Sequence, residues 1–416
     1  MKWKFDLGLM IFACGYWVSQ VGAQTFSQSM QQMGSEAVEG YLQPMAEGMG
    51  SGMNSQWYYS SKTQSFLGLP VGFSLYVGYP LVGVSKSMKT FDFSGNLPVG
   101  ALISQFDLPI SLDSMEQVVS LASGDRKDYN LKTLNITAED VPTIYGSSQK
   151  SARTRSLENL VSNSDEDNIL TLFDDYNKVV GECLASDSNG TACPDSVKIP
   201  SSVLLPFVGF GWSVAPSLPP LGLNIGISHI PVLDNISLGV RYMSSSLIPG
   251  SVGDVFEKKL GTVSQFGFTV QHEITPHIPI MGKLPFLHFG LMYAYNAFTI
   301  DAKKYAKLES DNQVYMFTTS LDAKFLIGLG VYGGIGYETS SITVDTKATT
   351  LNIPTADGDT VSYAIDKYHL VVDGHKGLRT QVGLRVSLAA FDIYADLDHG
   401  STTTYNLGIA IGLNGL

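Results

Sequence analysis

Beyond its first two dozen residues the sequence has no apolar run that could cross a bilayer as a helix, which takes about 20 continuous apolar residues. A helical membrane protein is therefore excluded, and a closed barrel is the remaining way for this chain to span a membrane. Cationic clusters are also missing: 26 basic residues stand against 38 acidic ones, a net charge of −12. Nucleic acid is bound through clustered Lys and Arg, so it drops out as a partner. Walker and dinucleotide-binding glycine patterns do not occur in a strand-to-helix context. Gly211-Trp212-Ser213-Val214-Ala215 lacks the second glycine of a nucleophile elbow. His272, Glu273 and His277 do not have the spacing of a helical His-Glu-x-x-His pair, and Pro276 and Pro279 put them at a turn. No catalytic residue, metal or cofactor is expected, and the chain reads as a non-enzyme.

Cysteine is scarce too, with three in 416 residues. The N-terminus accounts for one of them. Lys2 and Lys4 precede an apolar stretch from Leu7 to Val21 that ends at Val21-Gly22-Ala23, the layout of a secretory signal peptide cleaved near Ala23. A rival reading takes Ile11-Phe12-Ala13-Cys14 as a lipoprotein box; Phe12 and the short segment before it argue against that. Removal of residues 1–23 takes Cys14 with it. Cys183 and Cys193 then form an even pair in an oxidising compartment, bracketing a turn-rich stretch, and a disulfide between them is expected.

What is abundant is glycine and tyrosine, 42 and 20 residues, in a chain only 15% charged. Three textures follow one another. Residues 24–60 carry Met30, Met33, Ala37, Val38, Tyr41, Leu42, Met45 and Met49 at spacings of three and four, which predicts a helix with one apolar face and a kink at Pro44. Residues 95–200 are polar and irregular around a second helix, with Ser164 as its cap, Asp165, Glu166 and Asp167 in its first turn and Ile169 to Val180 as its stripe. Helix-start chemistry accounts for those acids without calcium. The rest of 66–416 is strand after strand.

Alternation carries the fold class. Leu378, Thr380, Val382, Leu384, Val386 and Leu388 share one face; Arg379, Gln381, Gly383, Arg385 and Ser387 share the other. Phe391, Ile393, Ala395 and Leu397 oppose Asp392, Tyr394, Asp396 and Asp398 in the next segment. The face opposite the apolar one is rich in Gly, Ser, Thr, Ala and Gln, which suits a crowded lumen better than a solvated surface. Short turns such as Ala389-Ala390 alternate with longer polar stretches such as Asp301 to Asn312, the outer-membrane pattern. The expectation is an all-β, antiparallel transmembrane barrel of about 12 strands, with 10 to 14 admissible, because 201–234 and 325–347 divide in more than one way. Ala389-Ala390 would be periplasmic, and 247–259, 301–312 and 343–376 outside. With 389–390 as the turn, Arg385 lies opposite Tyr394 and diagonal to Asp392 and Asp396, within reach of an ion pair. Arg379, Gln381, Arg385, Asp392, Tyr394 and Asp396 are thus the candidate lumen lining.

Inward positions such as Gly72, Ser74, Gly78, Gly334 and Gly408 are small, so the lumen needs filling. The helix face of Met30, Met33, Tyr41, Met45 and Met49 is the expected filler, with residues 27–49 plugging from the periplasmic side.

Asp140-Val141-Pro142-Thr143-Ile144-Tyr145-Gly146, Gly239-Val240-Arg241-Tyr242, and Gln271-His272-Glu273-Ile274 leading through Ile278-Pro279 to Lys283-Leu284-Pro285-Phe286 resemble an uncharacterised family of outer-membrane-like proteins from Bacteroidota and relatives. In architecture, an N-terminal plug ahead of a mid-sized barrel is more distantly similar to the long-chain fatty-acid transporter family, which implies a small apolar ligand. Three functions compete: passive transport of small apolar compounds through a plugged barrel in outer-membrane lipid, a surface anchor or adhesion protein displaying 95–200, and a soluble exported β-sandwich that binds a ligand.

Overall fold

The structure, a computed structural model, describes residues 35–63, 71–98, 106, 108–124, 127–129, 131, 133–147, 154–156, 168–186, 193–205, 214–215, 221–228, 235–245, 262–279, 284–301, 306–324, 328–346, 349–354, 360–365, 367, 369–388 and 390–412. Met30, Met33, the leader, the 247–259 loop, Ser164 and the three acids after it lie outside them.

Helix α1 (Ser35–Met53) comes first, then β1 (Val71–Gly83), β2 (Thr90–Pro98), α2 (Leu112–Ser123), β3 (Thr133–Pro142), β4 (Thr154–Ser156), α3 (Ile169–Ser186) and β5 (Ser202–Leu204). Among the described residues strands follow without a further α-helix: β6 (Val214–Ala215), β7 (Leu221–Ile227), β8 (Ile236–Ser244), β9 (Thr262–Glu273), β10 (Leu287–Asp301) and β11 (Ala306–Lys324). The chain continues with β12 (Gly328–Thr346), β13 (Thr349–Pro354), β14 (Thr360–Ile365), β15 (His369–Leu388), β16 (Phe391–His399) and β17 (Thr403–Gly412).

The described chain divides into two compact units. One holds residues 43–85 and 212–416, the other 28–42 and 86–211. In the first, β1, β7, β8, β9, β10, β11, β12, β15, β16 and β17 pair antiparallel in that order, and β17 returns to β1 from Ser74↔Gly412 to Val82↔Thr404. This closes a ten-stranded barrel with β6 as an added two-residue ladder on β1. The expected central count of 12 is thus corrected to ten. Gly328–Thr346, which the sequence lets one divide, is one uninterrupted strand of 19 residues. In the expected loop 301–312, residues 301 and 306–312 are strand, since β10 and β11 pair through Asp301↔Lys307.

That misreading has a physical cause, because the polarity of the wall inverts along the strands. Below the paired Tyr315 and Tyr337 the outward residues are Phe317, Leu321, Leu329, Val331 and Ile335, all exposed, while Thr318, Ser320 and Gln381 are buried inside. Above the pair the outward residues are Lys307, Glu309, Asp311, Thr339, Ser341, Thr343 and Asp345, and the buried inward ones include Phe298, Ile342, Val344 and Val372. A polar outer face makes the upper half of β11 read as a loop. From Leu329 to Tyr337 the apolar outer band covers about 20 Å of barrel height at the usual rise and tilt of a barrel strand.

In the second unit β2 pairs with β3, β4 with β5, and α2 packs with α3. The stripe of α3 is buried at Ile169, Leu172, Phe173, Tyr176 and Val180. Its cap is Asn168, whose Oδ1 accepts from the backbone N–H groups of Leu170 at 2.8 Å and Thr171 at 3.2 Å, in place of the expected Ser164. Cys183 at the end of α3 is disulfide-bonded to Cys193, Cα to Cα 5.9 Å.

Candidate functional site

Ten strands enclose more volume than their inward side chains can occupy. In this chain the space is taken by residues 43–63, the second half of α1 and the segment that follows it. At one end of the barrel Ala46 lies against Gly374, where a Cβ would meet its backbone at 3.0 Å, and Gly50 lies against Ser340. Asn296 Nδ2 then donates to the Met53 carbonyl at 3.1 Å, and Asn54 Nδ2 to Glu338 Oε2 at 3.3 Å. Arg241 Nη1 donates to the Ser55 carbonyl at 2.7 Å, and its guanidinium sits 3.6 Å from the centroid of Trp57. Gln381 Nε2 reaches the Tyr58 carbonyl at 3.3 Å and Gln271 Nε2 the Ser60 carbonyl at 2.9 Å. At the other end the Thr63 amide donates to Glu273 Oε2 at 2.7 Å, beside the end of β9.

The filler therefore differs from the expected one in residues and in direction. Residues 27–49 were to enter from the rim where β1 begins; instead 43–63 run through the lumen from the opposite rim, where β12 ends and β15 begins. Polarity decides this. Met45, Ala46 and Met49 are buried at the end where the inward wall is apolar. Ser51, Asn54, Ser55 and Gln56, buried as well, follow where the wall is polar. Tyr41 belongs to the other unit, where its carbonyl accepts from the Ile144 amide at 3.4 Å. From Pro44 to Tyr59 every side chain but the half-buried Glu47 is buried, so the one-faced pattern understates the enclosure of this segment.

The centre of the lumen is aromatic. Trp57, Tyr58 and Tyr59 pack among Tyr76, Met292, Met316, Tyr332 and Tyr394. Tyr59 stacks on Tyr394 with centroids 4.9 Å apart, and Tyr58 meets Tyr332 edge-on at 5.5 Å. The Tyr58 hydroxyl donates to the Thr319 carbonyl. Each of the three wall tyrosines lies over a glycine directly across the ladder: Tyr76 over Gly222, Tyr332 over Gly383 and Tyr394 over Gly408. A Cβ on those glycines would stand 2.1 to 2.3 Å from the ring. The inward glycines thus let aromatic rings lie flat on the wall, a role the sequence reading gave to empty space. The Trp57-Tyr58-Tyr59 triplet went unnoticed in that reading, although three adjacent aromatics between polar runs were a usable signal.

Charged groups sit on either side of this aromatic level. Toward the long-strand rim, Arg379 is 1% exposed and pairs with Glu338 and Asp398, each at 2.6 Å, while donating to the Ser51 carbonyl at 3.4 Å. Asp396 accepts from the Tyr332 hydroxyl at 2.7 Å and from Asn406 Nδ2 at 2.5 Å. Toward the other rim, Arg385 faces Tyr394 across the ladder as expected, but its ion pair is with Asp322 at 2.7 Å rather than with Asp392 or Asp396. Asp322 stands two strands away, reached across Gly330, where there is no side chain in the way. Asp392 takes the Ser387 hydroxyl. His288 Nδ1 lies 2.7 Å from Glu273 Oε1, joining the carboxylate that holds Thr63. All six candidate lining residues face the lumen, and among the described residues no group of three or more His, Cys, Asp or Glu is arranged to hold a metal.

A cavity of about 20 Å³ beside Trp57, Ser60, Asn224 and Gln271 has room for about one water. A family model described as a family of unknown function (DUF6588) matches residues 1–182 and 232–413. No curated protein matches the chain.

Proposed function

The chain belongs to that family of unknown function, which brings no activity with it, and we propose from its own geometry that it is a non-enzymatic outer-membrane barrel of a Gram-negative bacterium, closed at rest by residues 43–63 and conducting small polar solutes when they shift. Export with cleavage near Ala23 delivers it there. Its short-turn rim faces the periplasm and the upper ends of β10 to β15 face outward.

The outer wall carries the membrane part of this reading. On β11 and β12, exposed Phe, Leu, Val and Ile cover the lower barrel and stop at Tyr315 and Tyr337, with charged and hydroxyl residues above. In water such a band would be far larger than the few hundred Å² of contiguous apolar surface that soluble monomers tolerate. A lipid-facing wall with an aromatic edge accounts for it. The soluble sandwich expectation has no use for such a wall.

The lumen supports the conduit. Between Ser51 and Thr63 hydrogen bonds to polar wall groups hold the segment on either side of its aromatic core, and water can replace the neutral ones at small net cost, about 0.5–1.5 kcal/mol each. The same polar lining favours polar solutes over the apolar compounds expected from the sequence. A second reading, the surface anchor, draws on the close packing of Trp57, Tyr58 and Tyr59 among the wall tyrosines in the lumen.

Planar-bilayer recording of the full-length protein separates the two. Trp57→Ala removes the ring against Arg241 and Tyr76. It should raise the frequency of discrete openings several-fold while heat-modifiable migration on gels shows that the barrel remains folded. A folded variant as silent as the wild type would leave the anchor reading standing.

A further inference from the structure

We propose that the polar solutes taken by the conduit are short peptides with aromatic side chains, an inference that rests on the conduit reading. Residues 54–63 cross the lumen as a single chain that is neither helix nor strand. The buried main-chain polar groups of such a chain need partners outside it, and here the wall supplies them. At the end of α1, Arg379 donates to the Ser51 carbonyl at 3.4 Å and Asn296 to the Met53 carbonyl at 3.1 Å. Further along, Arg241 reaches the Ser55 carbonyl at 2.7 Å, Gln381 the Tyr58 carbonyl at 3.3 Å and Gln271 the Ser60 carbonyl at 2.9 Å. Two amides donate to the wall, Ser61 to the Ser320 hydroxyl at 3.1 Å and Thr63 to Glu273 at 2.7 Å.

These contacts engage groups that every peptide presents, whatever its sequence. They come from the tips of side chains on β8, β9, β10, β11 and β15, so they follow the chain through the barrel instead of gripping it at one point. Side-chain preference enters at the aromatic level. Tyr76, Tyr332 and Tyr394 lie flat over Gly222, Gly383 and Gly408, which leaves room for further rings. Tyr59 takes one such place, stacked on Tyr394 at 4.9 Å, and Tyr58 another, edge-on to Tyr332 at 5.5 Å. Trp57 lies 3.6 Å from the Arg241 guanidinium. Main-chain hydrogen bonds for affinity and pockets for chosen side chains are the means by which extended peptides are recognised. A purely apolar compound would leave the buried amide and guanidinium donors unpaired, which is costly. Residues 54–63 thus occupy the lumen in place of the ligand, and once they shift they leave a path lined for another chain of the same chemistry.

The test is the open current of full-length Trp57→Ala channels in planar bilayers. Three probes are added in turn: a synthetic peptide of residues 54–63, the same peptide with Tyr58→Ala/Tyr59→Ala, and the glucose oligomer maltohexaose. The first peptide should interrupt the current at a frequency that rises with its concentration, the second should do so several-fold more weakly, and the sugar should not. Gln271→Ala/Gln381→Ala in the same background removes two carbonyl donors and should weaken the interruption by the first peptide several-fold. If that variant fails to fold, the comparison of the three probes decides. Open channels that the first peptide leaves uninterrupted, that both peptides or the sugar interrupt equally, or whose interruption ignores the loss of both glutamines overturn the inference and leave the conduit intact. A complete absence of openings in every protein overturns the conduit and the inference with it.

Discussion

Gly408 and Gly181 show how far the meaning of a residue depends on what stands beside it. A Cβ at Gly408 would sit 2.1 Å from the ring of Tyr394, which is itself stacked on Tyr59 and cannot swing away. Around Gly181, in α3, nothing lies within 4 Å. Gly408→Ala should therefore destabilise the barrel by about 1–3 kcal/mol through overpacking, whereas Gly181→Ala should stabilise its helix by about 0.5–1 kcal/mol through lost backbone entropy in the unfolded chain. Urea unfolding of the two variants checks the sign of each. Glu47 gives a pH signature. Burial holds its carboxyl above the ordinary carboxylate range, against the opposing pull of His375 and the Gln43 amide. A raised folded-state value means the native protein binds the proton more tightly than the unfolded chain does. Its contribution is thus most favourable below the ordinary carboxylate value and declines as pH rises through the shifted one. Glu47→Gln should flatten that slope in melting temperature; an unchanged slope would assign it to other groups.

Strands and helices were legible to different depths. The alternation at 377–388 and 391–397 placed the inward and outward faces correctly, because a period of two needs no partner to be recognised. The lengths of β11 and β12 were not legible. Each strand crosses from one environment to another, and its hydrophobic pattern changes phase at Tyr315 and Tyr337. This division makes a test at the level of the strand. Leu384, 63% exposed in β15, belongs to the apolar band, and Glu309, in the upper half of β11, does not. Leu384→Arg should cost about 2–4 kcal/mol in a bilayer near its midplane, and Glu309→Arg should cost little beyond its exposed pair with Lys307. Equal effects of both in lipid vesicles would remove the band as a membrane boundary. Helix α1 was visible from its periodicity, and the lumen was the expected cover for Met45 and Met49; the rim from which the chain enters was not legible, since an apolar stripe says that a helix is covered and is silent about the direction of its approach.

For the molecule as a whole, the sequence by itself determined that the chain is all-β and antiparallel, that the lower part of its wall has a polar inner face and an apolar outer one, and that Arg379, Gln381, Arg385, Asp392, Tyr394 and Asp396 share the inner face. Those properties are local: they follow from which side of a pleated strand each residue occupies. Closure into ten strands, the pairing of Arg385 with Asp322 across an intervening strand, and the passage of 43–63 through the lumen from the long-strand rim were decided only by the tertiary structure. Each joins residues far apart in the chain, and several registers or directions satisfy the same alternation. Volume and polarity select among them. The polar run around Asn54 and the triplet Trp57-Tyr58-Tyr59 fit a polar wall with three flat tyrosines, and no periodicity in the sequence shows that those surfaces meet.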